Sequence, residues 1–215
     1  MSGRRSARPG RLYGIADAGL LGAAAVPSAL ATMAEAGLST LQLRAKRLVD
    51  RELWNLVGEC LGALAGWSGT FWIDDRADLA RRAGVAGVHL GQRDLPPAAA
   101  RPIVGEERLI GLSTHGEREL VAAERDPEVD WIALGPVFAT ATKEDPDPEL
   151  GTVELARLRR LAAKPLVAIG GITAENLGAV LASGVDAAAI VSALCRGDVR
   201  ANARRLVAAA GSPGE

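Results

Sequence analysis

Eight short apolar runs, separated by segments of helical character, constrain this 215-residue chain more than any single motif. The runs are residues 12–15, 40–44, 71–73, 85–90, 109–113, 131–134, 166–169 and 187–191. Between them, residues 27–36, 77–83, 117–123, 153–162 and 174–181 read as helices, and 96–104 as the weakest, because Pro96, Pro97 and Pro102 permit only a short helical turn. Asp50 is placed to cap a further helix carrying Leu53, Trp54, Val57, Leu61 and Leu64 on one side. Strands that alternate with helices pair in parallel through right-handed crossovers. Eight such units in a chain of this length predict an α/β fold, a single-domain (βα)8 TIM barrel with few insertions. The alternative is an open doubly wound sheet. It would favour a glycine fingerprint after the first strand, and Ile15-Ala16-Asp17-Ala18-Gly19 is not GxGxxG. The expected boundaries are a flexible basic tail at 1–10, a barrel at 11–210 and a flexible C-terminal tail at 211–215.

Composition narrows the setting. Hydrophobic residues make up 48% and charged residues 24%, ordinary globular usage, but aromatics only 3%, so the expected core is Ala, Val, Leu and Ile. A net charge of −1 argues against a general nucleic-acid or membrane-surface binder. Cys60 and Cys195 lie far apart and form no CxxC, which fits reduced thiols in the cytoplasm. With only two histidines, a structural zinc site is not expected. Arg4-Arg5 ahead of residues 19–31 imitates a signal peptide, but Asp17, Pro27 and Ser28 interrupt the pattern. No apolar run reaches the roughly 18 residues that span a bilayer.

A barrel carries its chemistry at the carboxyl ends of its strands, and the polar residues of this chain gather there. Gln42, Arg44 and Lys46 share one face of the second strand, since side chains alternate, while Leu41, Leu43 and Ala45 share the other. Three polar groups directed into a barrel are too costly to serve as filler. The third strand ends in Asp74-Asp75 and the turn after the fourth carries Asp94, carboxylates on adjacent strands that can face one magnesium ion. Asp75 is equally placed to cap the next helix. The fifth strand ends at Ser113-Thr114-His115; Ser113 offers a hydroxyl and His115 a base without triad partners. His89 reads as a packed interior residue or a ligand, and Asp78 as an exposed first-turn residue. The sixth strand breaks at Gly135-Pro136 and delivers Thr140, Thr142 and Lys143, an oxyanion-binding turn. Gly170-Gly171 and Ser192 close the last two strands, where barrels often hold phosphate; a tight turn explains the glycines equally simply.

Taken together these segments resemble the thiamine phosphate synthase family from about Leu12 to Ser192. The resemblance rests on Gln42-Leu43-Arg44-Ala45-Lys46, the segment from Ile73 to Ala80, the segment from Gly87 to Pro96, Ile110 to His115, Gly135 to Lys143, and Ala168 to Ile172. It implies a transferase that joins hydroxymethylpyrimidine diphosphate to thiazole phosphate, giving thiamine phosphate and diphosphate with Mg²⁺. It places Gln42, Leu43, Arg44, Ala45, Lys46, Asp74, Ser113 and Lys143 around the pyrimidine diphosphate, with Arg44, Lys46, Ser113 and Lys143 catalytic. It gives Asp75 and Asp94 to the metal. Thr140, Ala141, Thr142, Gly171, Val191 and Ser192 fall to the thiazole phosphate, Ala141 and Val191 through backbone. Such a reaction needs no protein nucleophile, which agrees with the absence of a triad.

The chain departs from the family pattern in places. Asp74 stands where Asn is usual; an amide donates to a diphosphate, whereas a carboxylate repels it unless protonated, metal-bound or paired with a cation. Ala139 and Ala141 replace common prolines, and the acidic segment 144–149 is expected to be mobile. Two alternatives stay open: a thiazole tautomerase using His115, and a non-catalytic phosphate-binding regulatory barrel. Small-molecule substrates are the expected partners, with neither nucleic acid nor membrane, and a homodimer is the oligomer allowed for.

Overall fold

A computed structural model describes residues 8–140 and 148–211. Its eight strands are β1 (Leu12–Asp17), β2 (Thr40–Arg44), β3 (Thr70–Asp74), β4 (Gly87–Leu90), β5 (Leu109–Thr114), β6 (Trp131–Leu134), β7 (Leu166–Ile169) and β8 (Ala187–Ile190). They pair in parallel in sequence order, and β8 closes on β1 through Leu12↔Ala188. The helices among the described residues are α1 (Ala18–Leu21), α2 (Val26–Glu35), α3 (Asp50–Ala63), α4 (Ala77–Ala83), α5 (Pro97–Val104), α6 (Glu117–Arg125), α7 (Gly151–Arg159), α8 (Leu177–Ala182), α9 (Ser192–Cys195) and α10 (Val199–Ala210). The chain is a closed (βα)8 barrel, as the alternation of its apolar runs predicts. Among the described residues no helix is long and apolar enough to cross a membrane.

Two apolar clusters divide the interior. One lies between strands and helices and takes the outward positions Leu41, Leu43, Val88, Leu90 and Ile110 with helix residues such as Leu30 and Leu120. Few of these faces are aromatic, in line with composition. The other fills the barrel itself and is centred on aromatics, contrary to the expectation of a purely aliphatic core. Tyr13, Trp72 and Trp131 are buried there, with the two indoles 4.3 Å apart between ring centroids and Tyr13 6.2 Å from each. Small residues make the room. A Cβ added to Gly87 would meet the Trp72 ring at 2.6 Å, and Ala133, Ala187 and Ala189 line the same space. A low aromatic total therefore conceals a local concentration that forms the floor beneath the site.

Two helices differ from expectation. On α3 the buried residues are Leu53, Leu56, Val57 and Cys60, whereas Trp54 and Leu61 are exposed; Asp50 opens the first turn and caps nothing. The true stripe follows the 3.6-residue period, one position off the sevenfold spacing of Trp54 and Leu61. α5 is a complete helix rather than a short turn. Pro97 occupies its first turn, where no donor is needed, and Pro102 costs one backbone bond. Arg101 compensates from within the helix: it is buried and pairs with Glu128 and Asp130 at 2.8 Å each while donating to the carbonyls of Gly105, Arg108 and Glu128. Asp130 in turn accepts from the N–H of Ile110 at 2.8 Å. This hub ties α5 to the amino-terminal ends of β5 and β6, the end of the barrel opposite its chemistry.

Candidate active site

Inward positions of β1, β2 and β3 build a charged cluster above the aromatic floor. The Tyr13 hydroxyl donates to Gln42 Oε1 at 2.6 Å, and Gln42 Nε2 donates to Asp74 Oδ1 at 3.0 Å. An ionised carboxylate only accepts, so Asp74 and Tyr13 together fix which way the amide faces. Arg44 lies between two carboxylates: Nη1 pairs with Asp17 Oδ2, and Nε is 3.7 Å from Asp74 Oδ2. Lys46 Nζ reaches Asp75 Oδ2 at 2.8 Å and Asp74 Oδ2 at 3.6 Å. Among the described residues the buried Asp74 Oδ2 accepts no hydrogen bond, although both cations flank it. Burial, then the neighbouring Asp75 charge, push Asp74 up to about 7 against the pull of Lys46 and Arg44. Burial works against the Lys46 charge, but Asp74 and Asp75 outweigh it and hold the ammonium above its ordinary value. The carboxylate that replaces the usual amide is thus accommodated by pairing with a lysine and an arginine.

Asp75 has a left-handed backbone, φ 61°, held by a hydrogen bond from its N–H to the His89 carbonyl at 2.8 Å. It does not cap α4, whose cap residue is Arg76 with no side-chain cap bond. That removes the structural explanation for this carboxylate. Asp78 behaves as expected, an exposed first-turn residue paired with Arg76. The β4–α5 turn presents Asp94 by accepting the Gly91 N–H on Oδ2 at 2.7 Å. Burial and the neighbouring Asp94 carboxyl raise the Asp75 pKa despite Lys46. Two carboxyls so close need a proton or a cation between them. Among the described residues no group of three or more His, Cys, Asp or Glu gathers to hold a metal. A pair of carboxylates open to further oxygens still fits magnesium, which takes one or two carboxylates plus water and phosphate oxygens.

On the next strand, Ser113 Oγ is 2.9 Å from His89 Nε2, and Gln92 Nε2 donates to the Ser113 carbonyl at 2.6 Å. Burial, and then the Lys46 charge, depress His89 to about 4, so the ring is neutral at pH 7. His89 is therefore a packed interior residue that also holds the Ser113 hydroxyl. His115 Nδ1 is 2.7 Å from the Gly135 carbonyl, which fixes the proton on that nitrogen because a carbonyl only accepts. Leu43 is buried among the helices and Ala45 packs against the same outer cluster, so only their backbones are available to the site.

The other half of the mouth is set by close contact between the turns after β6 and β7. Val137 N–H donates to Ile169 O at 2.9 Å and Phe138 N–H to Gly170 O at 3.1 Å. A Cβ on Gly135 would fall 1.9 Å from Ile169 O, and one on Gly171, where φ is +63°, 2.5 Å from Ala139 O. The glycines thus allow backbone to approach backbone, which is more than the simple tight turn considered from sequence. A cavity of about 460 Å³ opens beside them, lined by Thr140, Gly171, Thr173, Ser192, Arg196 and Arg205. Val191 is partly buried and precedes α9. The expected site residues Ala141, Thr142 and Lys143 lie outside the described residues, as do positions 144–147 of the acidic segment. Sequence reading missed Asp17 and Tyr13. Both fall on the inward face of β1, and the alternation that exposed Gln42 and Arg44 would have found them.

The family described as thiamine monophosphate synthase matches residues 12–194. A thiamine-phosphate synthase of Koribacter versatilis is 43% identical over 188 residues, covering 86% of this chain and 88% of that protein. One from Laribacter hongkongensis is 44% identical over 160 residues, 74% of each. Among solved structures, a thiamine phosphate pyrophosphorylase from Pyrococcus furiosus superposes with a TM-score of 0.83 at 28% identity, covering 93% of this chain and 95% of that one.

Proposed function

The chain belongs to the thiamine monophosphate synthase family, and on that premise we propose how its residues divide the work of thiamine phosphate synthesis. Gln42, Arg44, Lys46, Asp74, Ser113 and Lys143 receive the pyrimidine diphosphate. Leu43 and Ala45 contribute backbone only. Thr140, Thr142, Gly171 and Ser192 anchor the thiazole phosphate, with Ala141 and Val191 contributing backbone. Asp75 and Asp94 would hold Mg²⁺, which when bound neutralises charge on the diphosphate. The observation that carries this reading is the convergence of Arg44 and Lys46 on Asp74 and Asp75 at one side of the mouth, with a cavity lined by hydroxyls and by Arg196 and Arg205 at the other.

The chemistry follows from that division. The C–O bond between the pyrimidine methylene and the diphosphate breaks, and its electron pair leaves with the diphosphate. The electron-rich ring stabilises the resulting cation. The thiazole nitrogen then donates its lone pair to form the new C–N bond and becomes the positive centre of the product. No proton moves in these steps, so neutral His89 and the Gly135-bound His115 are not required as bases. Arg44, Lys46 and Lys143 stabilise the negative charge that develops on the leaving group, and the two anchors align carbon with nitrogen. Gln42, locked by Tyr13 and Asp74, orients the pyrimidine side.

Purified protein supplied with both substrates and magnesium should form thiamine phosphate. Normal binding of thiazole phosphate without product would instead favour the regulatory barrel.

A further inference from the structure

The geometry points to Asp17 as the positioning residue for Arg44. The two are direct cross-strand partners at the carboxyl ends of β1 and β2. Asp17 is 4% exposed and its two oxygens have separate tasks. Oδ1 accepts the N–H groups of Gly19 and Leu20 at 2.8 and 3.1 Å, which anchors the carboxylate against the first turn of α1. Oδ2 is left to pair with Arg44 Nη1. A carboxylate needed only to cap α1 would require one oxygen and no cation.

The consequence for Arg44 is rigidity. Its side chain retains a quarter of its exposure and lies at the rim, where a long cation ordinarily samples many rotamers. Asp17 holds one terminal nitrogen, Asp74 faces Nε from the other neighbouring strand, and the rest of the guanidinium fork stays available to a diphosphate. The anion therefore meets a cation already in place rather than one that must be ordered on binding. Asp17 touches neither substrate; it acts through Arg44.

This inference rests on the assignment of Arg44 to the pyrimidine diphosphate, and two variants separate cap from brace. Asp17→Asn and Asp17→Ser each retain an oxygen for the α1 N–H groups and lose the charged partner of Arg44. Both should lower kcat/KM for the pyrimidine diphosphate by roughly tenfold to a hundredfold. The KM for thiazole phosphate should stay within about twofold and the melting temperature should be unchanged, a split that a merely structural role would not produce. In an Arg44→Ala background either change should have no further effect. If Arg44→Ala alone leaves kcat/KM intact, the assignment of Arg44 fails. If Arg44→Ala is costly while the Asp17 variants match wild type, or impair the enzyme equally without Arg44, the positioning role is overturned and the assignment stands.

Discussion

Lys46 Nζ lies 2.8 Å from Asp75 Oδ2 while the Asp94 carboxyl neighbours Asp75, so one carboxylate faces a cation and a second carboxylate at once. Lys46 is thereby held between Asp74 and Asp75, while Arg44 keeps Asp17 on one terminal nitrogen. A diphosphate that reaches Lys46 must exchange places with Asp75 while Asp17 stays on Arg44, and magnesium would offer Asp75 and Asp94 a replacement partner.

Removing one of the two carboxylates proposed for magnesium should uncouple the two halves of the site. Asp94→Ala should lower turnover by at least about a hundredfold and abolish its dependence on magnesium. Thiazole phosphate binding, followed by calorimetry, should persist. Equal loss of both would assign Asp94 a role in folding.

Asp74→Asn preserves shape and removes one negative charge from beside Arg44 and Lys46. The Asn carbonyl can still accept from Gln42 Nε2. Saturation kinetics should give a several-fold lower KM for the pyrimidine diphosphate, the scale of one relieved charge contact. A raised KM would mean that the carboxylate makes a contact the amide cannot.

Gly171→Ala tests the join between the β6 and β7 turns. Its Cβ would sit 2.5 Å from Ala139 O on a backbone with φ +63°. The cost to stability should be about 1–3 kcal/mol. Thiazole phosphate affinity should fall well before pyrimidine diphosphate affinity does. Unaltered affinity for both would show that this turn does not shape the cavity.

Arg101 offers the opposite control. Arg101→Ala removes the buried cation that pairs with Glu128 and Asp130 and should destabilise the fold by about 3–5 kcal/mol in urea unfolding. Because the hub sits at the other end of the barrel, KM for both substrates should be unchanged in the protein that remains folded. A KM shift would indicate coupling across the barrel.

Burial pushes the Cys60 thiol up to about 12 and the Cys195 thiol up to about 11. At pH 8 neither has appreciable thiolate, and both are buried. A disulfide-exchange reagent should therefore label no thiol in the native protein and two after denaturation. Rapid native labelling would contradict the packing around them.

The barrel was legible because its eight apolar runs and their polar termini repeat with the same logic, and strict alternation placed Gln42 and Arg44 inward. The same rule applied to β1 would have found Asp17 and Tyr13; a strand of mostly apolar residues hid them. Asp75 could not be resolved from sequence, since a carboxylate just ahead of a helix has the same spacing whether it caps or faces a metal. The structure excludes the cap, a position that Arg76 holds while Asp75 takes a left-handed backbone. The aromatic floor was invisible for another reason: composition averages over position, and Trp72 and Trp131 lie far apart in sequence yet stack at 4.3 Å.

The fit of Trp72 against Gly87 has a meaning for how this barrel changes over time. With a Cβ at position 87 placed 2.6 Å from the indole, bulk on β4 and bulk on β3 are mutually exclusive. Relatives that enlarge residue 87 should carry a smaller residue at 72, so the two positions should drift as a correlated pair even though neither touches a substrate.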